Sequence, residues 1–162
     1  MANLSWAQGI VENHPNVATA VHAIEGDSLL RSVVLTNEEF MDHVDEGGEL
    51  TGYFRDSLLV KISVALYFSH GQVRMHYYLD QGELILMEES FDQYGYDVEL
   101  NEMDYATTER TFHGQYVFSQ GQLIDQISRG HNRFENDETD VQGTILSEFK
   151  HYKDLIHRKK EE

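Results

Sequence analysis

The feature that most constrains this chain is a series of strand-length apolar runs between Leu50 and Arg129, separated by short turn signals. Ser69-His-Gly-Gln72, Asp80-Gln-Gly-Glu83 and Ser119-Gln-Gly-Gln122 each put glycine second in a two-residue loop. A type I′ turn needs a positive φ at both central positions, and glycine meets that demand at the second without steric cost. Loops this short join only neighbouring antiparallel strands, so the pattern predicts an antiparallel β-meander.

The turns also predict a register. With His70-Gly71 as a turn, Phe68 faces Val73, Leu66 faces Met75, Val64 faces Tyr77 and Ile62 faces Leu79. With Gln81-Gly82 as the next, Leu79 faces Leu84 and Tyr77 faces Leu86. Side chains alternate along a strand, so these residues, with Val60, form one apolar face to be covered by helices. The opposite face then carries Lys61, Ser63, Ala65 and Tyr67, beside Arg74, His76, Tyr78 and Asp80, followed by Glu83, Ile85, Met87 and Glu89. In this register Lys61 lies across from Asp80, and Tyr67, Arg74 and Glu89 make a row. That second face is mixed and expected to be partly open.

A weak internal repeat runs through the hairpins. Tyr77-Tyr-Leu-Asp-Gln-Gly-Glu-Leu-Ile matches Tyr116-Val-Phe-Ser-Gln-Gly-Gln-Leu-Ile, and Tyr53-Phe-Arg-Asp-Ser-Leu-Leu-Val is a fainter copy. The offsets between copies differ, which fits a recurring hairpin solution and not a solenoid. Glu88 to Thr108, acidic and rich in tyrosine, is expected to be a long loop or an irregular strand pair.

Helices flank the meander. Ser5 and Gln8 have capping-box spacing, with Trp6 and Ile10 on one face. After the break at Pro15, Val17, Ala20, Val21 and Ile24 recur at helical spacing, and Gly26 is placed to end the segment. A first strand is expected over 29–35. Thr36 with Glu39 predicts the cap of a short helix through Val44. At the other end, Thr139 and Gln142 have capping-box spacing, and Val141, Ile145, Phe149, Tyr152 and Ile156 form one amphipathic stripe. The basic run from His157 to Lys160 falls where the helix dipole favours cations. The expectation is a single α+β domain over residues 1–162, an antiparallel β-meander with the N-terminal and C-terminal helices packed on one face.

Composition narrows the chemistry. The chain has 162 residues, no cysteine, and a formal charge of −17 from 29 acidic and 12 basic residues. Without cysteine there is no disulfide, thiolate metal site or cysteine nucleophile. A field of this sign repels phosphate backbones, so nucleic acid is not an expected partner. No apolar window reaches the ~18 residues of a membrane span. The start Met-Ala-Asn-Leu-Ser has neither the basic nor the apolar region of a signal peptide.

Specific motifs are absent. The nine histidines show neither His-x-His nor His-Glu-x-x-His spacing, and read as scattered surface residues. The clusters Asp92–Asp97 and Asn136–Asp140 do not match a calcium loop. There is no Gly-x-Ser-x-Gly elbow and no glycine-rich phosphate loop. His76 with Glu89 or Asp80 would be an acid–base pair, but salt bridging on a solvated sheet explains it more simply. No catalytic residue, metal site or cofactor is assigned. Tyrosine is enriched both in strands and at binding surfaces, so Tyr67, Arg74, His76, Tyr78 and Met87 on the mixed face are the expected ligand-binding residues.

The stretch Gly52-Tyr-Phe-Arg-Asp-Ser-Leu-Leu-Val-Lys-Ile, then Gly71, then Tyr77-Tyr-Leu-Asp-Gln-Gly-Glu-Leu-Ile resembles a group of small uncharacterised Bacteroidetes-type secreted proteins or lipoproteins. The resemblance spans about a quarter of the chain. It implies a helix-packed meander and a periplasmic or secreted location, with the leader absent from this sequence. It implies no activity. The function expected is therefore a non-enzymatic binding or interaction module of the bacterial envelope, for a protein or small-molecule partner. The alternative is a small enzyme with its site between sheet and helices. A concave pocket holding a shifted ionisable group favours the enzyme, and a flat, partly apolar sheet face favours the module.

Overall fold

The computed structural model describes residues 9–41 and 46–162. The cap at Ser5 and Gln8, the Trp6 part of the first helical stripe and the stretch through Val44 lie outside the described residues. Seven strands form one antiparallel sheet in sequence order: β1 Arg31–Thr36, β2 Gly48–Arg55, β3 Leu58–Phe68, β4 Gly71–Asp80, β5 Glu83–Asp97, β6 Glu102–Ser119 and β7 Gln122–Arg129. Helix α1 spans Pro15–Glu25 and α2 spans Val141–Glu161. No helix among the described residues is long and apolar enough to cross a membrane. The α+β meander is thus as the turn pattern predicts, and the Glu88–Thr108 stretch is a strand pair.

Two of the three turns are where glycine predicts them. Gln81 and Gly82 have φ of 50° and 83°, and Gln120 and Gly121 have 50° and 75°. The first hairpin differs. Phe68 pairs with Gly71, so the loop is Ser69-His70 and the register is shifted by two residues from the expected one. Ile62 therefore faces Tyr77, Val64 faces Met75 and Leu66 faces Val73. A shift of two preserves the side-chain faces, which is why the apolar pattern survives it. Gly71 serves packing instead of the turn: a Cβ there would lie 2.5 Å from Phe91 Cζ.

The three repeat copies share one irregularity. Phe54 faces Leu59 and Tyr53 faces Lys61, leaving Val60 as an extra residue. Leu79 faces Leu84 and Tyr78 faces Leu86, leaving Ile85. Phe118 faces Leu123 and Val117 faces Asp125, leaving Ile124. Each hairpin thus carries a bulge at the third residue past its turn, which adds twist and reverses the faces beyond it. Val60 and Leu86, expected on the apolar face, lie on the opposite one. Met87 and Glu89, expected on the mixed face, turn inward. Tyr77 accordingly faces Met87, and Lys61 faces Tyr78 instead of Asp80.

The helices also divide. The α2 stripe packs Ile145, Phe149 and Ile156 against Ile62, Tyr77, Leu79 and Met87 on one face. Helix α1 packs Val21 and Ile24 against Val60, Tyr78, Leu86 and Val117 on the other. The two helices were expected on one face. The bulges supply the reason for the second layer, because they place enough apolar surface on the outer face to need a cover. Gly52 lets α2 approach closely, since a Cβ there would meet Ile156 Cγ2 at 2.5 Å. The N-cap of α2 is Asp140, which accepts from Gly143 N–H at 2.9 Å. Gln142, expected in a capping box with Thr139, instead accepts from Leu123 N–H at 2.9 Å. The box at Thr36 is present, with Glu39 accepting from Thr36 N–H at 2.8 Å over a short 3-10 turn.

Candidate functional site

The mixed face is more occupied than its sequence suggests. Tyr78 is buried beneath α1 and donates from its hydroxyl to Glu25 at 2.9 Å. Lys61 donates to the same Glu25 oxygen at 2.5 Å, with its Nζ 5.3 Å from the centre of the Tyr78 ring. His76 Nδ1 lies 2.9 Å from Ser63 Oγ. Burial holds the imidazole below its ordinary pKa. Glu88, directly across from His76, lies 3.6 Å from His113 Nε2 and accepts from Gln115 at 3.4 Å. Gln115 in turn accepts from Ile10 N–H at 3.1 Å, which ties the N-terminal segment to the sheet. These bonds outweigh the desolvation of Glu88 and lower its pKa. Tyr67 is half-buried, and Arg74 is exposed and bonded to Gln72 at 3.2 Å. Met87, the fifth expected ligand residue, is fully buried on the α2 face. The bulge at Ile85 also removes Glu89 from the row expected with Tyr67 and Arg74, and Arg74 faces Ala65 and Ser90 instead.

The α2 face holds a site that the spacing did not reveal. Beyond the end of the core, Val73 on β4, Phe91 on β5 and Phe112 on β6 lie side by side. With Glu89 and the segment His131–Arg133 that follows β7, they line a pocket of about 320 Å³. Its walls are aromatic and aliphatic. Two of its lining residues, Glu89 and Arg133, belong to an ion-pair cluster. Arg133 Nε lies 3.0 Å from Glu89 Oε1, and its terminal nitrogens donate to both oxygens of Glu148 on α2, one of them at 2.9 Å. One of those nitrogens also reaches Met75 Sδ at 3.8 Å.

Tyrosines surround the cluster. Tyr77 donates weakly to Glu148 at 3.5 Å, and its ring stacks on Phe149 with centroids 6.0 Å apart. Burial raises the hydroxyl pKa of Tyr77 and Tyr116, and pushes Tyr152 up to about 12. Glu89 is only 5 % exposed, and burial raises its pKa against the opposing pull of Arg133. These groups come from β4, β5, β6, α2 and a loop, at separations of tens of residues. The one local signal is the Glu88-Glu89 pair directly after the apolar run Leu84–Met87, and the unbulged register puts Glu89 on the wrong face.

The chemistry available differs between the two faces. Ser63 with His76 is a nucleophile–base contact, but among the described residues no carboxylate bonds the other imidazole nitrogen. In the pocket the carboxylate is engaged by a guanidinium, and Ser90 has no hydrogen-bonded base. Among the described residues no group of three His, Asp or Glu side chains is arranged to hold a metal ion. Comparison with family models, curated proteins and solved structures gives no match.

Proposed function

We propose that this protein is a non-enzymatic binding module whose ligand is a small molecule seated in the pocket of Val73, Phe91, Phe112 and Arg133. The observation that carries the reading is the pocket itself. Its volume of about 320 Å³ falls in the range of small-molecule sites, and apolar walls with a few fixed polar groups are their usual lining. A buried acid with a raised pKa is also a mark of catalysis. Here Glu89 is tied to Arg133, so it serves orientation better than proton transfer. An envelope location belongs to the proposal and rests on the resemblance of the Gly52–Glu89 stretch.

Indole is a suitable neutral probe. Titrated into isotopically labelled protein, it should shift the backbone amides of Val73, Phe91, Phe112 and Asn132 in a saturable way. Shifts confined to the opposite face, around Tyr67 and Arg74, would move the binding surface there.

A second reading, a hydrolase, is favoured by the 2.9 Å Ser63–His76 contact alone. A fluorophosphonate probe decides it. The binding reading expects no covalent label on Ser63, and stoichiometric labelling lost in His76→Gln would establish the hydrolase.

A further inference from the structure

The polar side of the pocket is unbalanced in two ways. The donors of its guanidinium are mostly engaged: of the five N–H groups of Arg133, one bonds Glu89 and three bond Glu148 and Met75. Its acceptors are not. A carboxylate offers about four lone-pair sites, and among the described residues the only donor to Glu89 is Nε of Arg133. A ligand that accepts from Arg133 competes with two carboxylates already bonded to it. A ligand that donates meets an open acceptor.

Charge points the same way. Glu89 and Glu148 against Arg133 leave one negative charge over in the cluster to which the lining residues Glu89 and Arg133 belong. The protein as a whole carries −17, a field that concentrates cations and repels anions at its clefts. The walls add a third argument, since the Phe91 and Phe112 rings that line the pocket attract a cation to their faces as well as an apolar body.

We infer that the ligand of this pocket is a primary or secondary amine on a flat apolar body, its ammonium bonded to Glu89 and its body between Val73, Phe91 and Phe112. This rests on the pocket being the binding site, and a series sharing one ring system separates the two claims. Tryptamine, indole and indole-3-acetate carry a cation, no charge and an anion on the same body. Calorimetric titration at pH 7 should give tryptamine at least tenfold tighter than indole, and indole-3-acetate weaker than both. Raising salt from 20 to 300 mM should weaken tryptamine and leave indole nearly unchanged.

In Glu89→Gln the three affinities should converge to within about threefold. Glu148→Gln removes the same surplus charge from the cluster, and it carries the test if the first variant does not fold. Indole and tryptamine binding equally at this pocket would overturn the amine assignment and leave the binding reading standing. Tighter indole-3-acetate would overturn it in favour of an anion. Absence of all three from the pocket amides would overturn both claims.

Discussion

Two arginines show how far position in the fold decides what a side chain contributes. Arg74, in Val73-Arg-Met75, and Arg133, in Asn132-Arg-Phe134, carry the same guanidinium. Arg74 is exposed, with Gln72 as its bonding partner. Arg133 bridges Glu148 and Glu89, whose side chain is 6 % exposed. Arg74→Ala should cost about 1 kcal/mol or less in denaturant titration, as exposed polar contacts do. Arg133→Ala leaves a buried carboxylate without its partner and should cost about 3 kcal/mol. Equal costs for the two would contradict this account of Glu89. His76 makes a separate prediction. Burial and the positive charges of Lys61 and Arg74 lower its pKa, against the opposing pull of Glu88 and Glu25. The unfolded chain then binds the proton more readily than the folded one, so the stability His76 contributes is present above about pH 6.5 and lost as pH falls through its folded pKa. Glu89, with a raised pKa, works in the opposite sense at lower pH. The difference between wild type and His76→Gln isolates the histidine: the variant should lose less stability between pH 7.5 and 5.

At the scale of elements, the recurring bulge is the device that sets the fold. Each of the hairpins β2–β3, β4–β5 and β6–β7 places one extra residue, Val60, Ile85 or Ile124, three positions after the turn. In β5 this sends Leu86 to the α1 face and Met87 and Glu89 to the α2 face. Deleting Ile85 would leave Leu84 opposite Leu79 and Leu86 opposite Tyr78, so all three keep their faces, and only the added twist and the Ile85 side chain packed on the α1 cluster are lost. The deletion should therefore keep a cooperative thermal transition with a lowered midpoint. Loss of the cooperative transition would show that the bulge itself, and not the pairing on either side of it, holds the sheet together. The far end of β5 and β6 obeys other rules. Past Gln93 and before His113 the two strands have no third strand beside them, and Tyr96, Val98, Leu100 and Tyr105 are exposed along this ribbon. Ring contact between Tyr94 and Tyr105, with centroids 5.1 Å apart, is part of what holds it.

For the molecule as a whole, the charge is the dominant long-range quantity. Eight Lys or Arg ion pairs and three histidine–carboxylate contacts join described residues, yet acids outnumber bases 29 to 12. Among the described residues most acids therefore have no cationic partner, and their mutual repulsion opposes the compact state. Raising sodium chloride from 10 to 300 mM should raise the thermal midpoint at pH 7, because screening relieves net repulsion over distances beyond about 10 Å more than it weakens close pairs. A falling midpoint would mean that the ion pairs outweigh the field.

Local rules were enough for much of the architecture. The type I′ demand for positive φ located the Gln81-Gly82 and Gln120-Gly121 turns, and the period of the α2 stripe identified the residues that meet the sheet. Both signals arise within a few residues of chain, where backbone sterics and side-chain periodicity act. The hairpin at Ser69-His70 was displaced by two because Gly71 answers to the Phe91 ring, a partner twenty residues away. The bulges changed the faces of Val60, Leu86, Met87 and Glu89, and an extra residue in a strand leaves no mark on an apolar run. The sequence alone determined that this chain makes an antiparallel meander with an amphipathic C-terminal helix. Only the tertiary structure decided which face each helix covers and that Glu89, Arg133 and Glu148 meet, with Glu89 and Arg133 lining one pocket with Phe91 and Phe112, since a cluster assembled from a strand, a loop and a helix is set by packing and not by spacing.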